Sequence, residues 1–294
     1  MGYLFLALSV LAGAGKGFCG KKTSGLIKGF KGATLSNLIR MGFCVAVGIL
    51  VVILSGDLGA MAQSGPFLWI AALSGVSTAV LVITWLVSAR KNAYMLMDVF
   101  YTLAVLIPLV FSWIFFDERV RLTQWIGLLI LFVAVLLLCS YNNSVKTRLT
   151  PTALLILVVS GISNGMGDFS QKLFVKLTPE VPVSVFNLYT YLFALLTLAV
   201  FFLLIKSDEK IEGAVFRKIV GYIAVMALCL FAYSYFKTQA AGYLDSVLLY
   251  PLSQGTGMIL ATTMAAVFFG EKITPRCLLG VVTAFVGLII INLL

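Results

Sequence analysis

Ionisable side chains stand inside three long apolar runs of the sequence. Lys16 lies among the glycines of the first run, Asp98 near the start of the fourth, and Asp168 within the sixth. A charge inside an apolar span is costly, and it normally faces a polar interior, a partner charge or a ligand. Lys16 could therefore form a buried ion pair with Asp98 or with Asp168, or the three groups could contact a polar solute. Lys16 could also extend its ammonium to the nearby membrane surface.

Polar side chains accompany these charges at helical spacing. Asn164 shares a helix face with Asp168, and in the ninth run Gln254 shares a face with Tyr250. Tyrosines can line a cavity, although they also anchor spans at the membrane surface. The candidate ligand-binding residues are Lys16, Tyr94, Asp98, Asn164, Asp168, Tyr233, Tyr250, Ser253 and Gln254.

The composition explains why these residues matter. Hydrophobic residues make up 61% of the 294 positions and charged residues 11%, with a mean hydropathy of +1.09. Such values are typical of chains with many membrane spans, each of about 20 apolar residues. Ten such runs are present, which leaves no room for a soluble domain. The predicted helices cover residues 1–21, 35–54, 66–87, 93–116, 122–140, 152–175, 183–205, 219–238, 245–269 and 275–294.

Several classes of function are disfavoured by residues that the sequence lacks. It has no histidine, and its five cysteines are scattered singly through apolar segments. Zinc sites, serine triads and most acid–base catalysis are therefore unexpected. The net charge of +10 arises at helix ends and short loops, where basic residues orient spans, so nucleic acid is not an expected partner. We predict no enzymatic activity, no metal and no cofactor.

One helix pair is written twice in the chain. The turn FFDERV begins at Phe115, and FFGEKI begins at Phe268. Six residues repeat at one constant shift, and such a repeat indicates two copies of one structural unit. The matching positions are Phe115, Phe116, Glu118, Gly127, Phe132 and Val133 in the first copy, and Phe268, Phe269, Glu271, Gly280, Phe285 and Val286 in the second.

Both copies keep a glutamate in this turn, Glu118 and Glu271. Each precedes the N-terminus of the next predicted helix, where the helix dipole favours a carboxylate. We therefore interpret both glutamates as structural turn residues.

The repeat predicts an all-α membrane protein of ten transmembrane helices, arranged as two inverted five-helix repeats. Residues 1–141 form the first repeat, 142–151 the connecting loop, and 152–294 the second repeat, all within one membrane unit. Because five spans reverse the side of the membrane, the second copy starts from the opposite side. Inverted repeats are common in transporters, whose substrates bind near the membrane midplane where the repeats meet.

The ten spans, the two halves and the FF-x-E turns resemble the drug/metabolite transporter superfamily, in its EamA-like branch. The segment YPLSQGTG at 250–257 is also similar to a helix of the small multidrug resistance proteins. The resemblance implies a central cavity lined by helices one to four and six to nine, with the apolar fifth and tenth helices outside. Small multidrug exporters carry a glutamate in their first helix, whereas this chain has Lys16 there, which argues against proton-coupled export of cations.

The resemblance implies a secondary transporter of a small polar metabolite, such as an amino acid or a sugar, working by alternating access. Transport would be driven by a proton or sodium gradient or by exchange. The charges of both signs favour a zwitterion or a neutral polar solute. The alternative is an exporter of lipophilic cations, drugs or a lipid-linked solute. We expect a monomer or homodimer in a bacterial plasma membrane.

Basic residues predict the orientation of the chain. Loops after odd-numbered helices carry fifteen Lys or Arg residues, and loops after even-numbered helices carry five. The positive-inside rule then places both termini outside the cell. A reporter that is active only in the cytoplasm should stay inactive when it is fused to Leu294. Full activity of that fusion would reverse the predicted topology.

Overall fold

The computed structural model describes residues 1–24, 26–27, 29–63, 65–90, 97–140, 151–205, 213–270 and 275–293, and these contain α-helices, one 3₁₀ helix and no strand. The 3₁₀ helix, Asp57–Ala62, joins α2 to α3. The α-helices are α1 (Gly2–Ser24), α2 (Phe30–Leu54), α3 (Pro66–Arg90), α4 (Met97–Ala104), α5 (Leu106–Phe116), α6 (Leu122–Ser140), α7 (Pro151–Leu177), α8 (Val183–Leu204), α9 (Gly213–Ala241), α10 (Ser246–Phe269) and α11 (Pro275–Leu293).

Ten apolar helical segments confirm the predicted fold class. Seven helices in the described residues are long and apolar enough to cross a membrane, and three shorter apolar segments lie at Phe100–Phe116, Leu122–Leu137 and Leu278–Asn292. The chain is therefore an all-α, multi-pass membrane protein. With five segments in each half, the two halves enter the membrane from opposite sides.

The fourth span is broken into α4 and α5 at Val105. The cause is Pro108, which has no N–H and so cannot bond the carbonyl of Ala104 four residues earlier. Hydrogen bonding tightens locally instead, and the Val105 amide donates to Thr102 O at 3.2 Å. Pro108 thus breaks the helix, and the break leaves a backbone carbonyl in the membrane interior.

Helix packing repeats between the halves. In the two halves, α1 is equivalent to α7 and α3 to α9. α1 packs on α9, and α7 packs on α3 in the same way. α2 packs on its own equivalent α8, and α6 on its own equivalent α11. Exchanging the halves thus leaves the pattern of helix contacts unchanged, as an internal two-fold repeat requires.

The two wholly apolar spans form a pair. Gly127 on α6 and Gly287 on α11 lie so close that a methyl group on Gly127 would sit 2.9 Å from the carbonyl oxygen of Gly287. Small residues at such crossings allow close backbone approach in membranes. The outer faces carry exposed apolar side chains, such as Leu129 and Phe285. Both features fit the peripheral position expected for the fifth and tenth spans.

The residue that follows the repeated Phe-Phe pair has a left-handed backbone conformation in both copies. Asp117 has φ 53° and Gly270 has φ 64°, both in the left-handed region. Aspartate tolerates this region better than most residues with a side chain. The left-handed residue ends α5 and lets the amide of Glu118 donate to Ser112 O at 3.3 Å.

Three basic residues that the sequence count assigned to loops lie inside helices. α2 begins at Phe30 rather than near residue 35, so Arg40 is well within a span. Lys172 is part of α7 and Lys237 of α9, where both are buried. Since no proline interrupts residues 30–40, the helix can start earlier than its apolar core suggests. The loops after odd-numbered helices still carry the excess of positive charge.

The broken span packs closely on α7, which gives a test of this crossing. A methyl group on Gly165 would lie 2.6 Å from Ala104 O and 2.7 Å from Ile107, whereas one on Gly167 would meet nothing within 4 Å. Gly165→Ala should therefore destabilise the protein by about 1–3 kcal/mol through overpacking. Gly167→Ala should be neutral or stabilising. Thermal unfolding in detergent compares the two, and equal melting temperatures would contradict the packing described here.

Candidate functional site

A buried ion pair joins α7 to α9. Lys237 Nζ lies 2.7 Å from Asp168 Oδ1, and their side chains are 5% and 13% exposed. Asp168 lies nine residues before the end of α7, or about 13 Å along the helix axis. Asp168 thus lies inside a span and faces other helices of the protein, and it has a charged partner there. Its partner is Lys237 and not Lys16.

Two tyrosines complete this Asp168 cluster, which we define as Asp168, Lys237, Tyr233 and Tyr250. Lys237 Nζ also donates to Tyr233 Oη at 3.2 Å, because the two residues are one helical turn apart on α9. Tyr250 Oη donates to the backbone oxygen of Asp168 at 2.7 Å. Lys237 Nζ lies 5.3 Å from the centroids of both rings, within cation–π range. The cluster therefore holds α7, α9 and α10 together.

Lys16 approaches the same cluster from α1. Its Nζ lies 4.7 Å from the centroid of the Tyr233 ring. Gly13 makes room for this ring, since a methyl group there would be 3.1 Å from it, and Ser9 Oγ donates to Tyr233 O at 2.9 Å. The glycine-rich face of the first helix thus serves close packing on α9, and Lys16 points to that interface.

Arg40 on α2 is a site residue that the sequence interpretation missed. Its Nη1 donates to Met226 Sδ on α9 at 3.8 Å. Its Nε is buried and has no hydrogen-bond partner among the described residues. The sequence feature that could have identified Arg40 is the uninterrupted helical sequence before it. Because α2 starts at Phe30, Arg40 lies in the membrane interior and not at its surface.

A chain of amides and hydroxyls lies beside the Asp168 cluster. Gln171 Nε2 donates to Ser234 Oγ at 3.4 Å, and Ser234 Oγ donates to Asn187 Oδ1 at 2.6 Å. Asn187 Nδ2 in turn donates to Val183 O at 3.1 Å. Gln171, predicted on the polar face of the sixth span, therefore ties α7 to α9 and α8, and it fixes the helices that carry Asp168 and Lys237.

The remaining predicted residues are placed as follows. Asn164 lies half-buried on α7, one turn before Asp168, while Ser253 is buried and Gln254 half-buried on α10. Both α10 residues are about one turn beyond Tyr250, on the same face of the helix. Tyr94, Glu271 and the side chain of Asp98 lie outside the described residues. Their proposed roles stay predictions.

Glu118 anchors a second buried junction. Its Oε1 lies 2.7 Å from Lys172 Nζ and 3.5 Å from Lys176 Nζ. Its Oε2 accepts a 2.9 Å hydrogen bond from the amide of Ser246, the first residue of α10. Sequence reasoning placed this carboxylate at the helix that follows it, α6. Glu118 instead binds the N-terminus of α10, because the left-handed backbone at Asp117 directs the Glu118 side chain across the molecule.

Lys172 is the other half of the Glu118 junction. It is 1% exposed, and it also donates to Leu244 O at 2.9 Å and Ala241 O at 3.3 Å. Burial alone would raise the pKa of the Glu118 carboxyl, but the hydrogen bonds from Lys172 and Ser246 and the lysine's charge hold that pKa below its ordinary value. Lys172 is thus paired and hydrogen-bonded within the protein, and the structural role interpreted for Glu118 stays a prediction.

Comparison with known proteins defines the class of this chain. Residues 151–293 match the EamA-like transporter family, which is part of the drug/metabolite transporter superfamily. One solved crystal structure, described only as that of a protein, covers 99% of this chain and 96% of its own with a TM-score of 0.76 and 17% identity, which shows the fold alone. A search of curated proteins gives no match.

These findings confirm the resemblance seen in the sequence. The second half of the chain matches the EamA-like family, and 99% of the chain shares the fold of a solved structure. It is therefore an integral membrane protein of the drug/metabolite transporter type. Members of this family are transporters.

The Glu118 junction predicts a large difference between adjacent acidic residues. Glu118→Gln should lower the free energy of unfolding by about 3–5 kcal/mol, since it leaves the buried Lys172 ammonium without its carboxylate. Asp117→Asn is the control, because the Asp117–Arg119 pair is 78% and 79% exposed and such pairs contribute little. Thermal melting in detergent measures both. A second change, Lys172→Met, should recover part of the loss, and equal effects at 117 and 118 would refute this account.

Proposed function

We propose that this transporter moves a small polar metabolite by alternating access, and that the Asp168 cluster forms part of its substrate site. The observation that carries the proposal is the buried Asp168–Lys237 pair beside two tyrosines. Replacing buried ion pairs with apolar residues often leaves stability unchanged or improved, so their stabilising effect alone does not explain them. Charged groups inside spans more often mark substrate paths.

The broken fourth span supports the same location. Discontinuous helices place free backbone groups at the midplane sites of many transporters. Here the break at Val105 leaves the Ala104 carbonyl beside Gly165, less than one helical turn from Asp168 on α7. Both inverted repeats therefore contribute to one polar region, since α4 belongs to the first and α7 to the second.

The chemistry of the Asp168 cluster favours a solute that carries both donors and acceptors. The Lys237 ammonium lies within hydrogen-bonding distance of both a carboxylate and a phenol, and this combination suits an amino acid, a sugar or a similar compound. Lipophilic cations are less suited, because the ammonium groups of Lys16 and Lys237 already lie within cation–π range of the Tyr233 ring. Transport would be driven by an ion gradient or by exchange across the plasma membrane.

A thermal-shift panel on the purified protein tests this function. The panel contains amino acids, sugars, polar amines and hydrophobic cations, and a solute present at 100 times its Kd should add about 2.7 kcal/mol of stability. We expect a polar solute to stabilise the protein and to exchange across proteoliposomes that contain it. Stabilisation by hydrophobic cations only would replace the proposal with drug export.

Variants connect such a hit to the Asp168 cluster. Asp168→Asn should abolish the stabilisation by the solute, whereas the exposed Asp117→Asn should retain it. Because Asp168→Asn leaves Lys237 without its carboxylate, the double variant Asp168→Asn with Lys237→Gln serves as the charge-balanced form. Unchanged solute binding in the double variant would exclude this cluster from the substrate site.

A further inference from the structure

Two cations deep in the spans have no carboxylate partner in the part of the chain that the structure describes. Lys172 is paired with Glu118 and Lys237 with Asp168. Among the described residues, Lys16 Nζ lies over the face of the Tyr233 ring, and Arg40 Nη1 donates to the thioether of Met226, which is a weak acceptor. We call Lys16 and Arg40 the cationic pair.

The cationic pair lies at one depth in the membrane. Lys16 is eight residues before the end of α1, or about 12 Å along its axis, and Arg40 is ten residues after the start of α2, or about 15 Å. The end of α1 and the start of α2 are joined by the short connection 25–29, so both distances are measured from the same side. The two charges are close enough to repel each other, and Lys237 repels Lys16 as well.

Both members of the pair meet the same face of α9. Met226 and Tyr233, their contacts, are seven residues apart and therefore share one face of the helix. Lys16 sits between Arg40 and the Asp168 cluster, since Tyr233 contacts both Lys16 and Lys237. The cationic pair thus continues the proposed substrate site along α9 toward the α1–α2 connection.

The positive charges of Lys16 and Arg40 are not balanced by a carboxylate among the described residues. Unpaired charges in a membrane interior are unfavourable, and the guanidinium Nε of Arg40 is buried without a partner. The one other carboxylate of the spans is Asp98, whose side chain lies outside the described residues. One carboxylate would neutralise only one of the two cations, so the pair keeps an excess of positive charge in either case.

We propose that Lys16 and Arg40 bind the acidic group of the transported solute, a carboxylate or a phosphate. The proposal rests on the proposed transport function and narrows its substrate to an acid or a zwitterion. An oxyanion supplies the acceptors that the guanidinium fork and the ammonium lack, in charge-assisted hydrogen bonds. Its remaining polar groups would then contact Tyr233 and the Asp168–Lys237 pair, one to two helical turns away along α9.

Matched pairs of probes test the proposal on the full-length protein in detergent. The acids are glycerol 3-phosphate, malate and alanine, and their counterparts without the acidic group are glycerol, malamide and alaninamide. We expect at least one acid to raise the melting temperature while its counterpart does not. The phosphate probe and the two carboxylate probes identify which acidic group is bound. Equal shifts from both members of every pair, zero included, would overturn the proposal.

Variants assign the binding to the cationic pair. Lys16→Gln and Arg40→Gln should each weaken the binding of the acid at least tenfold, and Lys16→Arg should restore most of the affinity lost in Lys16→Gln. The controls are Lys218→Gln and Arg217→Gln, which change the same residue types at exposed positions of α9 and should leave the affinity unchanged. Equal affinities in the site variants and the controls would also refute the proposal.

These experiments distinguish failure of the acid-binding proposal from failure of the proposed transport function. A sugar or an amine that stabilises the protein and exchanges across proteoliposomes, with no response to the acids, would keep the transport function and reject the acid site. If Lys16→Gln or Arg40→Gln raises the unliganded melting temperature while acid binding falls, the lost charge was unfavourable in the empty protein, as the proposal requires.

Discussion

The structure depends on one constraint, that a charge inside a membrane span must be balanced by the protein around it. Two lysines satisfy this constraint with carboxylates from distant parts of the chain. Glu118 reaches Lys172 from the turn between α5 and α6, and Asp168 reaches Lys237 from α7 to α9. Since breaking a buried pair leaves an uncompensated charge, the Glu118–Lys172 pair fixes how the two repeats meet, and the Asp168–Lys237 pair fixes two helices within the second repeat.

The symmetry of the fold and the asymmetry of its charges have different origins. Helix contacts and the left-handed residues Asp117 and Gly270 recur in both halves, because backbone packing must close in the same way twice. The charges do not recur. In the register that aligns Phe18 with Phe169, Lys16 corresponds to Gly167, and Asp168 corresponds to Gly17. Neighbouring positions of two equivalent helices thus carry a cation in one copy and a carboxylate in the other, so one side of the site differs from the other.

Sequence patterns predicted most of the fold, because membrane spans are local features. Apolar runs located the ten segments, and the covalent structure of Pro108 predicted the break in the fourth span. Glu118 was interpreted as structural from its position just before a helix N-terminus. Its contact with α10 was not predicted, since which helix lies across a turn depends on long-range packing that no local pattern encodes.

The site was predicted only in part for the same reason. Asp168 was found because a carboxylate interrupts an apolar face, but its partner Lys237 stood close enough to a helix end to be counted with the loop. Arg40 lies within the predicted helix 35–54 but was counted with the preceding loop, because its helix starts with polar residues before the apolar run begins. Both errors concern cations, whose long side chains lie near predicted helix ends and are easily interpreted as surface anchors.

The unbalanced cations connect the site to the transport cycle. Water can solvate Lys16 and Arg40 while the site is open to one side, but closure around an empty site would strand both charges in an apolar environment. On the proposed acid site, a bound oxyanion would remove that penalty and so favour closure of the loaded carrier over the empty one. A ligand shifts a conformational equilibrium only through such a difference in affinity. This difference would make movement of the loaded carrier easier than return of the empty one, which is the property that exchange transport requires.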